Sequence, residues 1–221
     1  MEADLSKENF FFGIPCYDGL IHINTMVGLI DTVNNLHTLG VPHSINAVTG
    51  GALIDLNRND IVDKFLKSDA TILVFIDADI SFTWEQMQRL LVYSTQYELI
   101  CGSYPTRTEP CRFLVKPSKP ELNEDGLLPI DHIGMGFVAI HRNVFNKLTP
   151  ETYDTDTQKQ QKAYFRLTIE NGMYVGEDIY FFRRCKEKGI QAYVDPGIEL
   201  GHIGLKTFNT PFHFALNKYL T

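Results

Sequence analysis

Residues 70–79, Ala-Thr-Ile-Leu-Val-Phe-Ile-Asp-Ala-Asp, form the stretch that decides the fold. The apolar run 72–76 is unbroken and consists of branched and aromatic residues, which predicts a central strand buried on both faces. Asp77 and Asp79 follow where that strand ends. Because alternate side chains of an extended segment point to the same side, both carboxylates should project together. Open α/β sheets bind ligands at the carboxyl ends of their strands, so this stretch marks a candidate site.

The paired carboxylates favour a bound metal ion. Two close carboxylates repel each other, and this repulsion is relieved by a cation or by a shared proton. Carboxylate oxygens are hard ligands for divalent ions, and a metal held there can clamp a diphosphate. The alternative is that Asp77 and Asp79 only cap a helix or a turn. We favour the metal, because ionised pairs are rarely placed beside a buried strand without a partner.

Composition and charge limit the class of protein. The chain has 221 residues, 44% hydrophobic and 21% charged, which suits one globular domain with a sizeable core. The net charge of -7 argues against a general nucleic-acid-binding protein, which needs basic patches to replace phosphate counterions. A phosphorylated ligand is compatible with this charge if a metal ion supplies the positive charge.

The cysteines and the hydropathy pattern indicate a soluble, intracellular protein. The four cysteines are scattered without a CxxC pair, which predicts free thiols rather than zinc ligands or disulfides. No segment is apolar for long enough to span a bilayer, and the first residues lack the basic region of a signal peptide. We therefore predict a cytoplasmic protein without a transmembrane segment.

Strand and helix patterns alternate through the first half of the chain. The predicted strands lie at 9–16, 44–48, 72–76 and 98–101, and the predicted helices at 23–36, 60–66 and 83–93. Residues 83–86, Thr-Trp-Glu-Gln, have the form of a capping box, which supports the start of the third helix. This order predicts an α/β fold with a central, mostly parallel sheet flanked by helices.

The pattern changes after residue 102. Prolines and loops surround a predicted strand at 112–116. Further strands are predicted at 136–140 and 191–194, with helices from Asn143 and at 177–188. The sequence has no internal repeat and no clear linker, so we predict a single domain, 1–221, in two halves.

Three further groups of residues are candidates for chemistry. Residues 134–136, Gly-Met-Gly, let the backbone approach a ligand closely, although a turn before a strand is the simpler interpretation. Glu177 and Asp178 open a predicted helix, where a carboxylate is either a general base or only a partner of the helix amino terminus. His202 can reach a metal across a cleft, although a lone histidine is more often structural. Lys206 can meet phosphate charge or remain a solvated surface lysine.

The order of these motifs is more specific than any one of them. The order is 15–17 (Pro-Cys-Tyr), 57–59 (Asn-Arg-Asn), 77–79 (Asp-Ala-Asp), 134–136 (Gly-Met-Gly), 176–178 (Gly-Glu-Asp) and His202. In this order the sequence resembles the metal-dependent nucleotide-sugar glycosyltransferases of the GT-A fold, from about Phe10 to His202. Its compactness is similar to the small glycosyltransferase domains of large DNA viruses and of bacteria.

The resemblance implies an activity and its ligands. It implies a hexosyltransferase-like glycosyltransferase that moves a sugar from a nucleoside-diphosphate sugar, by default a UDP-sugar, to a hydroxyl of a glycan or protein acceptor. The implied cofactor is a divalent cation, Mn2+ or Mg2+. Residues of about 8–102 would form the nucleotide-binding half and those of about 103–221 the acceptor-binding half. For a viral protein, the predicted location becomes the host cytoplasm.

The resemblance also implies roles for individual residues. The implied nucleotide-binding residues are Pro15, Cys16, Tyr17, Arg58, Asp77, Ala78 and Lys206. The implied metal ligands are Asp77, Asp79 and His202, and Gly134, Met135 and Gly136 would border the donor sugar and the acceptor. Asp178, with Glu177 beside it, would be the general base of an inverting reaction.

Two features keep alternatives open. Residues 179–182, Ile-Tyr-Phe-Phe, stand where the family often has a further acidic residue or a leucine. This departure leaves open whether Asp178 or Glu177 is the base. It also leaves open whether the reaction inverts or retains the anomeric configuration. A phosphatase of the haloacid dehalogenase type, with Asp77 as nucleophile, also uses a strand that ends in Asp-x-Asp. That motif normally opens its domain, whereas two strand–helix units come first here. A non-catalytic nucleotide- or sugar-binding domain is the other alternative.

Overall fold

The computed structural model describes residues 4–155 and 159–204. The helices are α1 (Ile23–Thr38), α2 (Ile54–Lys67), α3 (Trp84–Ser94), α4 (Arg142–Lys147) and α5 (Glu177–Glu187). The strands of the first half are β1 (Phe10–Cys16), β2 (His43–Thr49), β3 (Ile72–Ile76), β4 (Ile80–Ser81) and β5 (Leu99–Ser103). The later strands are β6 (Lys116–Pro117), β7 (Leu128–His132), β8 (Phe137–His141), β9 (Thr152–Asp154), β10 (Gln160–Lys162), β11 (Thr168–Glu170), β12 (Met173–Val175), β13 (Ala192–Glu199) and β14 (Gly201–His202).

A central sheet of eight strands organises the fold, in the order β2-β1-β3-β8-β5-β13-β7-β6. Strand β1 pairs in parallel with β2 and β3, and β5 pairs in parallel with β13. Strand β8 lies antiparallel between β3 and β5, and β7 lies antiparallel between β13 and β6. All strands of this sheet except β7 and β8 therefore share one direction, and the predicted α/β fold with a mostly parallel sheet is confirmed.

The central strand is buried as its sequence predicts. Every residue of β3 is buried, and its alternate side chains enter two different cores. Leu73 and Phe75 pack in one core, while Ile72, Val74 and Ile76 pack in the other. Residues 77–79, directly after the carboxyl end of β3, are partly exposed.

The insertion of β8 between β3 and β5 is a long-range feature that the sequence pattern did not locate. It places Gly136, just before β8, beside the end of β3, where the Asp77 backbone N–H donates to the Gly136 carbonyl at 2.9 Å. The glycine pair and the paired carboxylates therefore meet at one edge of the sheet.

Helix α2 begins at Ile54, so the predicted start at residue 60 is wrong. The first turns contain Asn57, Arg58 and Asn59, which are all buried and which interrupt the apolar periodicity. Hydrogen bonds compensate most of this burial, as buried polar groups require, although Arg58 Nη1 has no hydrogen-bond partner in the described part of the chain. The Asn59 side chain, for example, donates to the Phe165 carbonyl at 2.8 Å and accepts from the Phe165 N–H at 2.9 Å.

The predicted strand at 112–116 is also wrong, because only Lys116–Pro117 joins the sheet. A single bridge between Pro105 and Phe113 closes the preceding segment, which we call the 104–115 loop. Strand β13 continues past the predicted end at 194, to Glu199, across a register shift that accommodates Pro196.

The cysteine and membrane predictions can be compared with the described residues. All four cysteines are free, as predicted, and only Cys111 is exposed. Among the helices in these ranges, none combines the length and the apolar character that crossing a bilayer requires.

Candidate functional site

The acidic turn after β3 is held beside His202 by a second, short sheet. Strand β4 pairs with β14, which aligns His202 with Ile80. The Ile203 N–H donates to the Asp79 carbonyl at 2.9 Å. Two segments that are far apart in sequence therefore meet at the carboxyl end of the central strand.

Asp79 and His202 form a pair suited to a cation. His202 Nε2 lies 3.5 Å from Asp79 Oδ2, and His202 Nδ1 lies 2.8 Å from the Pro105 carbonyl oxygen. In the neutral imidazole, a proton on Nδ1 donates to that carbonyl and leaves the Nε2 lone pair facing the carboxylate. A carboxylate oxygen suits Mn2+ or Mg2+, while the imidazole nitrogen favours the transition metal, so the donor set fits Mn2+ better.

Asp77 lies outside this pair. Its Oδ1 accepts a hydrogen bond from Arg58 Nη2 at 3.0 Å. In residues 4–155 and 159–204, no group of three or more His, Cys, Asp and Glu side chains is placed to hold a metal. The structure thus brings Asp79 and His202 together and directs Asp77 to Arg58, so the three-residue metal site stays a prediction.

Arg58 is a buried bridge between the end of β3 and the start of α5. Its side chain is 3% exposed, lies over the Phe75 ring and donates from Nε to Glu177 Oε1 at 3.3 Å. Burial acts to lower the pKa of Arg58, but the carboxylates of Asp77 and Glu177 outweigh it and the pKa is raised. Arg58 therefore stays charged and fixes two carboxylates of the site.

Glu177 and Asp178 occupy the first turn of α5, after the N-cap Gly176. The Glu177 side chain is 14% exposed, and burial raises its pKa although Arg58 opposes the shift. Asp178 Oδ1 accepts from the Ile179 N–H at 2.7 Å. Of the two carboxylates, Glu177 is the one held by the buried arginine.

Tyr104, which sequence reasoning missed, lies between the acidic groups. Its hydroxyl accepts from the Gly136 N–H at 3.1 Å. Burial and the Asp77 carboxylate raise the pKa of Tyr104, and Asp178 acts in the same direction. A sequence signal existed, because Tyr104 follows the apolar strand β5 at the same edge of the sheet.

Gly136 permits this close approach. A Cβ at this position would lie 2.8 Å from both Asp77 Oδ2 and Tyr104 Oη, closer than side-chain atoms tolerate. The neighbouring Met135 is 1% exposed and packs in the core, so only its backbone can border a ligand. Gly134 is partly buried against the Tyr104 hydroxyl.

Arg107, in the 104–115 loop, also belongs to this site and was missed. Its Nη1 donates to Asp79 Oδ2 at 2.9 Å and to the Ile203 carbonyl at 3.3 Å. An arginine in a proline-containing loop carries no periodic signal, and only the pairing of β4 with β14 brings Ile203 near it.

Four of the remaining predicted nucleotide-binding residues lie around the ends of β1 and β3, namely Pro15, Cys16, Tyr17 and Ala78. Pro15 and Cys16 are buried, while Tyr17 is 65% exposed. Burial raises the pKa of the Cys16 thiol, and the charges of Asp18 and Asp77 add to the shift. The Ala78 carbonyl accepts from the His22 N–H at 2.8 Å. Lys206 lies outside the described residues.

Comparisons with known proteins support the fold. No family model matches the sequence, and no curated protein matches it. The solved structure of A197 from STIV is similar, with a TM-score of 0.51, 18% identity, and coverage of 93% of this chain and 99% of that chain. GalNAc-T7, crystallised with UDP, GalNAc and Mn2+, is similar with a TM-score of 0.58 and 10% identity.

The GalNAc-T7 alignment covers 96% of this chain and 48% of that chain, so this chain spans about half the length of that structure. At these identities the likeness shows the fold alone. The GT-A-like fold predicted from the sequence is confirmed, and the roles of individual residues stay predictions.

Proposed function

We propose that the protein is a metal-dependent glycosyltransferase that moves a sugar from a UDP-sugar to a hydroxyl of a glycan or protein acceptor. The observation that carries the proposal is the meeting of Asp77, Asp79, His202, Tyr104 and the start of α5 at one edge of a GT-A-like sheet. The UDP, GalNAc and Mn2+ in the GalNAc-T7 structure support the same class of ligands.

Asp79 and His202 are the residues that would hold the divalent cation. When bound there, the cation offsets the negative charge that builds on a departing nucleoside diphosphate. Asp77, fixed by Arg58, would lie near the ribose and the cation. The base would lie against Pro15, Cys16 and the exposed ring of Tyr17, and the position of these residues at the carboxyl end of β1 supports this placement. Lys206 remains a candidate partner of the phosphates.

Asp178 serves as the general base. Its carboxylate takes the proton of the acceptor hydroxyl while the hydroxyl oxygen bonds to the anomeric carbon and the bond from that carbon to the diphosphate breaks. Glu177 is less suited, because buried Arg58 already engages its Oε1. This arrangement predicts an inverted product. A product of retained configuration would show that the base assignment is wrong, while the metal assignment would stand.

The decisive assay is release of UDP from a panel of UDP-sugars with Mn2+ and a glycan or peptide acceptor. We expect Asp79→Ala to lower the rate by about 100-fold or more, because it removes a ligand of the cation. Asp63→Ala is the matched control, since this carboxylate pairs only with Lys67 and Lys159 among the ion pairs of the described residues.

Two outcomes would favour other functions. A folded wild-type protein that binds UDP but releases none from any donor would favour the non-catalytic binding domain. A phosphoaspartate trapped at Asp77 would favour the phosphatase.

The acceptor side of the site is a cavity of about 410 Å³ at the same edge of the sheet. Pro105, Phe113, Val115, Leu128 and Glu199 are among its lining residues, and most of the lining is apolar. Pro105 connects the cavity to the proposed cation site at Asp79 and His202, because its carbonyl oxygen bonds to His202. We place the acceptor in this cavity, where the exposed ring of Phe113 would cover an apolar face of the acceptor.

Phe113→Ala should raise the KM for the acceptor about tenfold, because a 61% exposed aromatic ring would become buried by the acceptor. The Kd for UDP, measured by calorimetry, should not change. Leu122→Ala is the control, since Leu122 is 56% exposed and lies outside the 104–115 loop. An unchanged acceptor KM in Phe113→Ala would place the acceptor elsewhere.

A further inference from the structure

Arg107 already places a positive charge on the carboxylate that is proposed to hold the cation. Its Nη1 lies 2.9 Å from Asp79 Oδ2, the same oxygen that faces His202 Nε2 at 3.5 Å. The guanidinium and a divalent ion therefore compete for one oxygen atom. Binding of the ion to Asp79 Oδ2 would therefore require the Arg107 guanidinium to leave that oxygen.

The ion pair between Arg107 and Asp79 should break easily when another ligand binds. The side chains of Arg107 and Asp79 are 53% and 33% exposed, so water and salt screen their attraction. Gly204 also leaves space for the arginine, because a Cβ there would lie 2.8 Å from the Arg107 Cδ. The second hydrogen bond, to the Ile203 carbonyl, is long at 3.3 Å.

We propose that Arg107 couples the binding of the divalent ion to the binding of the diphosphate. Without a nucleotide, the guanidinium occupies Asp79 and opposes the ion. With both ligands present, the guanidinium leaves Asp79 and pairs with the diphosphate, for which its planar donor fork is suited. The inference rests on the proposed function, since it presupposes a cation and a nucleotide at this site. Arg107 thereby makes Asp79 selective for the ion together with its diphosphate.

The test is a pair of calorimetric titrations on wild-type protein and Arg107→Ala. In the first, Mn2+ is added without nucleotide, and the variant should bind it up to about fivefold more tightly. In the second, UDP is added at saturating Mn2+, and the variant should bind it about tenfold more weakly. The opposite signs distinguish this role from a structural one, which would weaken both.

Two variants serve as controls. Arg107→Lys keeps the positive charge but lacks the planar guanidinium donors. Its Mn2+ affinity should therefore match that of the wild type, and its UDP affinity should lie between those of the wild type and Arg107→Ala. Arg112→Ala removes the same charge from an exposed position in the same loop and should change neither affinity.

The failures are distinguishable. If wild type binds Mn2+ and UDP and Arg107→Ala binds both equally well, the coupling is disproved and the proposed function stands. If neither protein binds Mn2+, with or without UDP, both proposals are disproved.

Discussion

Arg58→Met is expected to lower the free energy of unfolding by about 3–5 kcal/mol, because it leaves the partly buried carboxylates of Asp77 and Glu177 without the positive charge of the guanidinium. Removing one member of a buried ion pair costs much more than the pair contributes, since the remaining charge stays desolvated. Urea denaturation of wild type and variant measures the difference.

Arg166→Met is the matched control for this variant. Arg166 pairs with Glu151 at 2.8 Å, but the two side chains are 45% and 74% exposed, and such pairs contribute little. Adding Glu177→Met to Arg58→Met should restore part of the lost stability, because it removes one unpaired carboxylate. If Arg58→Met were as stable as Arg166→Met, the bridge would have no structural role.

The effect of Arg58→Met should depend on pH. Burial already raises the pKa of Glu177 against the opposing charge of Arg58, and removing Arg58 raises it further. A carboxyl whose pKa is raised in the folded state adds stability below its unfolded pKa, and this stability is lost as pH rises through the folded pKa. The deficit of Arg58→Met should therefore be largest near neutral pH and shrink as the pH falls toward 4.5, the ordinary Glu value. Urea denaturation over this pH range measures the trend.

Asp178→Asn is expected to lower kcat by about 100- to 10,000-fold, because the amide cannot accept the proton of the acceptor hydroxyl. The affinities for Mn2+ and UDP should stay at wild-type levels, since Asp178 is not among the proposed cation or nucleotide ligands. Steady-state kinetics with calorimetry separate the two effects.

Glu177→Gln provides the comparison for the base assignment. Its defect should be one of stability, because Glu177 is held by Arg58. A loss of kcat in Glu177→Gln, together with an active Asp178→Asn, would show that Glu177 and not Asp178 is the general base. The anomeric configuration of the product, determined by NMR, tests the inverting geometry independently.

Local patterns predicted the parts of this site that depend on local structure. The apolar run before Asp77 was enough to place both carboxylates directly after the central strand. The alternation of side chains in a strand did not apply to them, because residues 78–79 form a turn and the two carboxylates have different partners. Helical spacing also located α1, although Ile23, Val27 and Ile30 on that helix are exposed.

The missed parts depend on long-range pairing. Arg58 was predicted as a nucleotide-binding residue, but its burial against Asp77 and Glu177 was not predicted, because neither contact leaves a local signal. Arg107 reaches Asp79 from the 104–115 loop, and the pairing of β14 with β4 brings Ile203 to it as a second partner. The proposed metal ligands show the same limit, since spacing alone did not reveal that Asp77 bonds to Arg58 while Asp79 faces His202.

Binding of UDP with and without Mn2+ tests most directly whether Asp79 and His202 hold a cation that grips a nucleoside diphosphate. Calorimetry should show that wild-type protein binds UDP much more tightly with Mn2+ than with EDTA, whereas Asp79→Ala binds it equally weakly in both. UDP binding that ignores Mn2+, or that is unchanged in a folded Asp79→Ala variant, would contradict a cation at this pair.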